Sequence, residues 1–160
     1  MEVKIILTRE INPDFVSKAI MRFTGKDSSH ILIEYHCPVD DQMKVFQATG
    51  EGVNVKPSDE YFKTHHKMMT IHLDLNCTPG EFASYIDGAL GKDYSESQYV
   101  GFIFPYKWIQ KIVGDGEKEM ICSELVARVV EKFTDIRFSI PLDFITPHEC
   151  FMHIYRKLYS

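Results

Sequence analysis

An α+β fold is predicted by three features of the chain. Short segments of alternating or β-branched apolar residues recur at 2–8, 29–35, 44–50 and 68–75. Apolar stripes at helical spacing occur in separate segments, most clearly over 121–133. The two kinds of segment do not follow a regular strand–helix alternation, which argues against a parallel doubly wound sheet. With 160 residues the chain suits one domain, here taken as 1–160.

The first strand is EVKIILT (2–8), rich in β-formers. Asn12-Pro13-Asp14 then predicts a helix start, with Phe15, Ala19, Ile20 and Phe23 as its stripe and Gly25 as its stop. In SHILIEY (29–35), Ile31, Ile33 and Tyr35 share one face of a strand, and His30, Leu32 and Glu34 share the other. Pro38-Val39-Asp40-Asp41 turns the chain into KVFQATG (44–50), the return strand of a hairpin. A fourth strand is expected at MMTIHLDL (68–75). Thr78-Pro79-Gly80-Glu81 has the form of a capping box, and opens a helix carrying Phe82, Tyr85, Ile86, Ala89 and Leu90. Residues 92–118 are irregular and aromatic, and a helix is predicted from Ile121 to Phe133. Thr146-Pro147-His148-Glu149 repeats the capping pattern before a short C-terminal helix.

Composition narrows the function. The formal net charge is −5 with no cluster of Lys and Arg, so a nucleic-acid partner is disfavoured. The N-terminal stretch MEVKIILTRE lacks the parts of an export signal, and no segment approaches the ~18 apolar residues that span a bilayer. The expectation is a soluble, cytosolic protein, delivered elsewhere only by other machinery. Cys37, Cys77, Cys122 and Cys150 contain no CxxC pair, and cytosolic thiols stay reduced. Neither a cofactor nor a metal is expected: His65, His66 and His72 lack companion ligands at suitable spacing.

Cys122 stands near the start of its predicted helix, in MICSELVARVVEKF. There, unpaired N–H groups and the helix dipole favour a thiolate and can receive an oxyanion. The resting thiol is then expected to ionise below the ordinary value of about 8.5. Taken alone, Cys122 fits better as a small apolar member of the Leu125–Val126–Val129 stripe. His30, at a strand start, is the candidate base. Glu34 lies roughly 13 Å farther along the same strand, whereas Gln47 on the return strand comes within cross-strand reach. An amide oxygen can accept from an imidazole N–H, so Gln47 is the preferred orienting residue.

SSHILIEY, then VFQATGEGV, LGKDYS, CSELVARVVEKF and ITPHEC resemble the circularly permuted branch of the NlpC/P60 papain-like superfamily, in particular its YiiX-like members. The likeness runs from about residue 22 to 150. It implies a papain-like antiparallel sheet packed against the nucleophile helix, with Cys122 as nucleophile and His30 as base. Such proteins often carry Glu where this chain has Gln47. The resemblance implies a cysteine hydrolase acting on a peptide, isopeptide or N-acyl amide, peptidoglycan stem peptides included. Its lipid-handling branch implies acyl hydrolysis or transfer instead. The expected substrate contacts are Tyr94, Phe104, Tyr106 and Trp108, the last three in GFIFPYKWIQ (101–110), an apolar groove, a core cover or a membrane-touching loop. The rival of another class is a non-catalytic lipid- or peptide-binding module.

Overall fold

The computed structural model describes residues 1–13, 18, 21, 26–49, 52–90, 117–140, 142 and 145–160, with 117–121 described by their backbone alone. Five strands, β1 (Glu2–Glu10), β2 (His30–Cys37), β3 (Gln42–Thr49), β4 (Gly52–Pro57) and β5 (His65–Asp74), form one antiparallel sheet in the order β4-β3-β2-β1-β5. Among the described residues four helices accompany it: α1 (Ser58–Tyr61), α2 (Pro79–Ala89), α3 (Glu117–Phe133) and α4 (Pro147–Tyr159). The α+β class follows. The helix predicted after Asn12 falls almost wholly outside the described residues, as does the aromatic segment with Tyr94, Phe104, Tyr106 and Trp108.

Strand alternation decides which side of the sheet becomes the core. Ile5 and Leu7, Ile31 and Ile33, Phe46 and Ala48, and Ile71 and Leu73 point to one face, where they meet α2, α3 and α4 in one buried cluster. Phe82 of α2 is its aromatic hub, edge-on to Tyr35 at 5.3 Å and to Phe46 at 6.3 Å between centroids. From α3, Cys122, Leu125, Val126, Val129 and Val130 pack onto it, so the helical stripe is spent as expected. Both capping boxes are formed: Thr78 with Glu81, and Thr146 with Glu149.

Two elements were not foreseen. The segment after Gly52 becomes edge strand β4, with Val53, buried, and Val55 alternating with Asn54 and Lys56. Pro57 argues against a central strand but is compatible with the end of an edge strand. Gly52 opens β4 at φ 100°, a backbone shape that glycine accepts without steric cost. The single turn α1 follows directly and carries Ser58 and Tyr61 under the sheet's second face. That face holds a smaller apolar cluster, Ile6, Leu32, Val45 and Tyr61, ringed by buried polar groups.

Candidate functional site

Two of the buried polar groups, Thr8 and Gln47, lie at the end of this second face where β2 begins. Thr8 pairs with His30 across β1 and β2. The β2–β3 ladder runs only from Cys37↔Gln42 to Ile33↔Phe46, so His30 stands beyond the last paired residues. Gln47 lies one residue past Phe46, on the same face as His30, and reaches it diagonally. His30 Nε2 and Gln47 Oε1 are 2.9 Å apart. Gln47 is almost fully buried at 2% exposure, which makes its amide a fixed partner rather than a solvated one.

Burial, foremost, lowers the His30 pKa to about 4; Gln47 acts in the opposite direction, and the nearby His65 lowers it further. His30 is therefore neutral at physiological pH and able to accept a proton. The same shift ties stability to pH. Between about 6.5 and 4 the unfolded chain binds a proton that the folded His30 refuses, so folding weakens as pH falls through that window. Allowing for the partial exposure of His30, the loss is on the order of 2 kcal/mol. His30→Gln should flatten the slope of unfolding free energy between pH 6.5 and 4.5 in urea titrations. An unchanged slope would show that His30 carries no such shift.

Cys122 is fully buried and belongs to the cluster on the other face of the sheet. What ties it to the His30 end is Tyr61. Burial, above all, pushes the Tyr61 phenol well above its usual range, Thr8 counteracts this, and nearby Cys122 adds to it. The Tyr61 hydroxyl lies 3.1 Å from that of Thr8, the cross-strand partner of His30. The Tyr61 ring stacks on His65 at 4.0 Å. Tyr61 and Thr8 are thus residues that the sequence pattern does not mark, whereas His65 stands out there only as a possible metal ligand. Tyr61 lies in a turn that carried no strand or helix signal.

The setting of Cys122 differs from the expectation in one respect. Among the described residues helix α3 already includes Glu117, in keeping with the good helix formers Glu, Lys and Met upstream of Ile121. Cys122 therefore lies beyond the first turn, where N–H groups have intrahelical partners and the dipole has faded. Cys122 thus has neither a thiolate-favouring helix start around it nor a backbone N–H available as oxyanion donor. The other polar residues of CSELV have structural partners. Ser123 Oγ donates to the Ile145 carbonyl at 2.5 Å, and Glu124 receives both Arg128 Nε and Nη2. Cys150 is also buried, its Sγ 3.7 Å from the Ser123 carbonyl, and burial pushes its thiol far up, with Cys122 adding to the effect.

Glu34 is not an orienting residue. Its carboxylate accepts from Lys4 Nζ and Lys67 Nζ at 3.0 Å each, and from Ser58 Oγ. His65 lies against the Tyr61 carbonyl and the Thr64 hydroxyl, and His153 against the Arg137 carbonyl. Among the described residues no group of three or more His, Cys, Asp or Glu could hold a metal ion, and no helix is long and apolar enough to cross a membrane. Comparison with protein-family models, curated proteins and solved structures finds no match for this chain.

Proposed function

We propose that this chain is a cysteine hydrolase of papain-like, permuted NlpC/P60 type that cleaves an amide through a thioester. The observation that carries the reading is the His30–Gln47 pair, a partly exposed, neutral imidazole held at one nitrogen by a buried amide that cannot itself titrate. In the proposed reaction Cys122 Sγ approaches His30 past the Tyr61–Thr8 end of the sheet, and the free ring nitrogen of His30 takes its proton as sulfur attacks the carbonyl carbon. An S–C bond forms, and the C–N bond then breaks as the amine leaves with that proton. Water, deprotonated by the same nitrogen, hydrolyses the thioester. Tyr61 and Thr8 share a single hydroxyl–hydroxyl bond, which leaves one hydrogen to offer a developing oxyanion. The substrate class is a small peptide or N-acyl amide, with lipid acyl transfer as the nearer variant.

A second reading has its own observation. Full burial of Cys122 among Leu125, Val126 and Val129 suits an inert packing residue, and the domain would then be a binding module. Thiol chemistry separates the two. With His30 neutral, the Cys122 thiol is expected to rest protonated and to react by base assistance. Iodoacetamide labelling of Cys122 at pH 7 should slow by about 10²-fold or more in His30→Ala, the low end expected for loss of a positioned base. Labelling of the partly exposed Cys37 and Cys77 should not change. Equal Cys122 labelling rates in the two proteins, read by peptide mass mapping, would favour the binding module.

A further inference from the structure

Beyond the His30–Gln47 pair, a chain of side-chain amides runs outward to β4. Gln47 and Asn54 are direct cross-strand partners, and Gln47 Nε2 donates to Asn54 Oδ1 at 3.1 Å. Asn54 Nδ2 in turn faces the Gly52 carbonyl and the Thr49 hydroxyl, each at 3.3 Å. Thr49 Oγ1 donates to the same Gly52 carbonyl at 3.4 Å. The individual contacts at this outer end are long, yet their direction is fixed by chemistry. A backbone carbonyl can only accept, so the Asn54 atom facing it must be the nitrogen.

Everything inward then follows. With Nδ2 on Gly52, Asn54 presents Oδ1 to Gln47, and Gln47 must answer with its NH2. Its remaining atom, Oε1, is an acceptor and faces His30 Nε2, so that nitrogen must carry the hydrogen. The Nδ1 atom of His30 is left bare. If the outermost amide were reversed, every donor and acceptor along the line would reverse with it, and Nδ1 would hold the proton instead.

We infer that Asn54 is a positioning residue: through Gln47 it sets the tautomer of His30 and so selects Nδ1 as the basic atom. The kinetic meaning of this rests on the reading of His30 as a catalytic base, but the tautomer itself does not. Asn54 touches neither His30 nor Cys122 in this scheme and acts only by the polarity it imposes. The β4 segment has a role in the site for the same reason, since the Gly52 carbonyl is the fixed end of the line.

Nitrogen-15 correlation spectra of the histidine rings at pH 7 test the inference without any substrate. His30 signals are assigned by their disappearance in His30→Gln. Wild-type His30 should be the Nε2–H form, with the Nδ1–H form near or below detection. Asn54→Ala frees the Gln47 amide to turn over, and the Nδ1–H share should rise by about an order of magnitude, the equilibrium equivalent of one lost hydrogen bond. Asn54→Asp keeps an oxygen toward Gln47 and should retain the wild-type tautomer, a rescue that a purely packing role would not predict. A wild-type Nδ1–H form, an unchanged tautomer in folded Asn54→Ala, or equal scrambling in Asn54→Ala and Asn54→Asp would each overturn the inference. Repeating the spectra in Cys122→Ala keeps the two questions apart. The tautomer pattern should survive there, whereas failure of the hydrolase reading would show only in Cys122 reactivity.

Discussion

Glu34→Ala should destabilise the protein by about 2–4 kcal/mol, lowering the thermal midpoint by roughly 5–15 °C for a chain of this size. Glu34 is a buried carboxylate at 3% exposure, on the polar side of β2. Lys4 is its cross-strand partner from β1, Lys67 reaches it from β5, and Ser58 donates from α1. The group therefore ties four elements together around one charge. Removing it leaves the buried Ser58 hydroxyl without its acceptor and opens space beneath the lysines. The lysines themselves are 33% and 43% exposed and can turn to solvent, which caps the loss. Lys4→Met and Lys67→Met singly should each cost less than ~1 kcal/mol, because the other lysine and Ser58 still hold the carboxylate. Burial raises the Glu34 pKa, but the hydrogen bonds from Ser58, Lys67 and Lys4 outweigh it and leave the carboxyl below its ordinary value of 4.5. Its stabilisation is therefore complete above pH 4.5 and is lost as pH falls through the lower folded value. Chemical denaturation of the four proteins at pH 7 and pH 4 measures both effects. A Glu34→Ala loss below 1 kcal/mol at pH 7 would mean that the cluster is only an exposed ion pair.

The second large effect concerns turnover. On an activated acyl donor such as p-nitrophenyl acetate, Cys122→Ala should abolish the p-nitrophenol burst, because no thioester can form. His30→Ala should slow acylation by about 10²–10⁴-fold, the range for a positioned general base. Gln47→Ala should cost about tenfold, since it loses one hydrogen bond that aims the ring and no proton-transfer group. Gln47→Glu should restore the rate or raise it, because a carboxylate also stabilises the imidazolium. Stopped-flow bursts on folded variants give the order directly. If Gln47→Ala were as slow as His30→Ala, Gln47 would be part of the proton path and not an aid to it. A burst that persisted in Cys122→Ala would remove the thioester mechanism altogether.

Much of this architecture is written in local patterns. Richness in β-formers and period-two alternation mark β1, β2, β3 and β5, and T-P-x-E capping marks the starts of α2 and α4, because these signals are local in sequence. Gln47 was preferred over Glu34 by a length argument alone, and the Gln47 contact with His30 agrees with that choice. Helix α3 extends at least four residues upstream of the predicted start at Ile121, because helix propensity there gives no stop signal. Edge strand β4 was hidden by Gly50 and Gly52, which read as the end or a bulge of the strand before them. Asn54 and Tyr61 could not be seen for a different reason. Their partners lie across a ladder or at a turn whose register only the folded sheet defines. An amide that directs another amide leaves no one-dimensional trace.

The position of β1 has a cost in assembly. It is the first strand in sequence, yet it lies inside the sheet, between β2 and β5. The β2–β3 and β3–β4 pairings join neighbours in the chain and close short loops. The ladder from Glu10↔His65 to Glu2↔Asp74 joins segments more than fifty residues apart. Closing so long a loop costs only about 0.6 kcal/mol more for each doubling of its length, but the entropy is lost before the contacts repay it. The three-strand meander β2–β3–β4 is thus the cheapest part of the sheet to nucleate, and it alone carries His30, Gln47 and Asn54. Insertion of β1, docked by β5, is the step that brings Thr8 beside Tyr61 and seals the ring in its buried, neutral state. The hydrogen-bond line that aims the imidazole is a product of local folding. The desolvation that keeps it uncharged is a product of the sheet's longest-range closure.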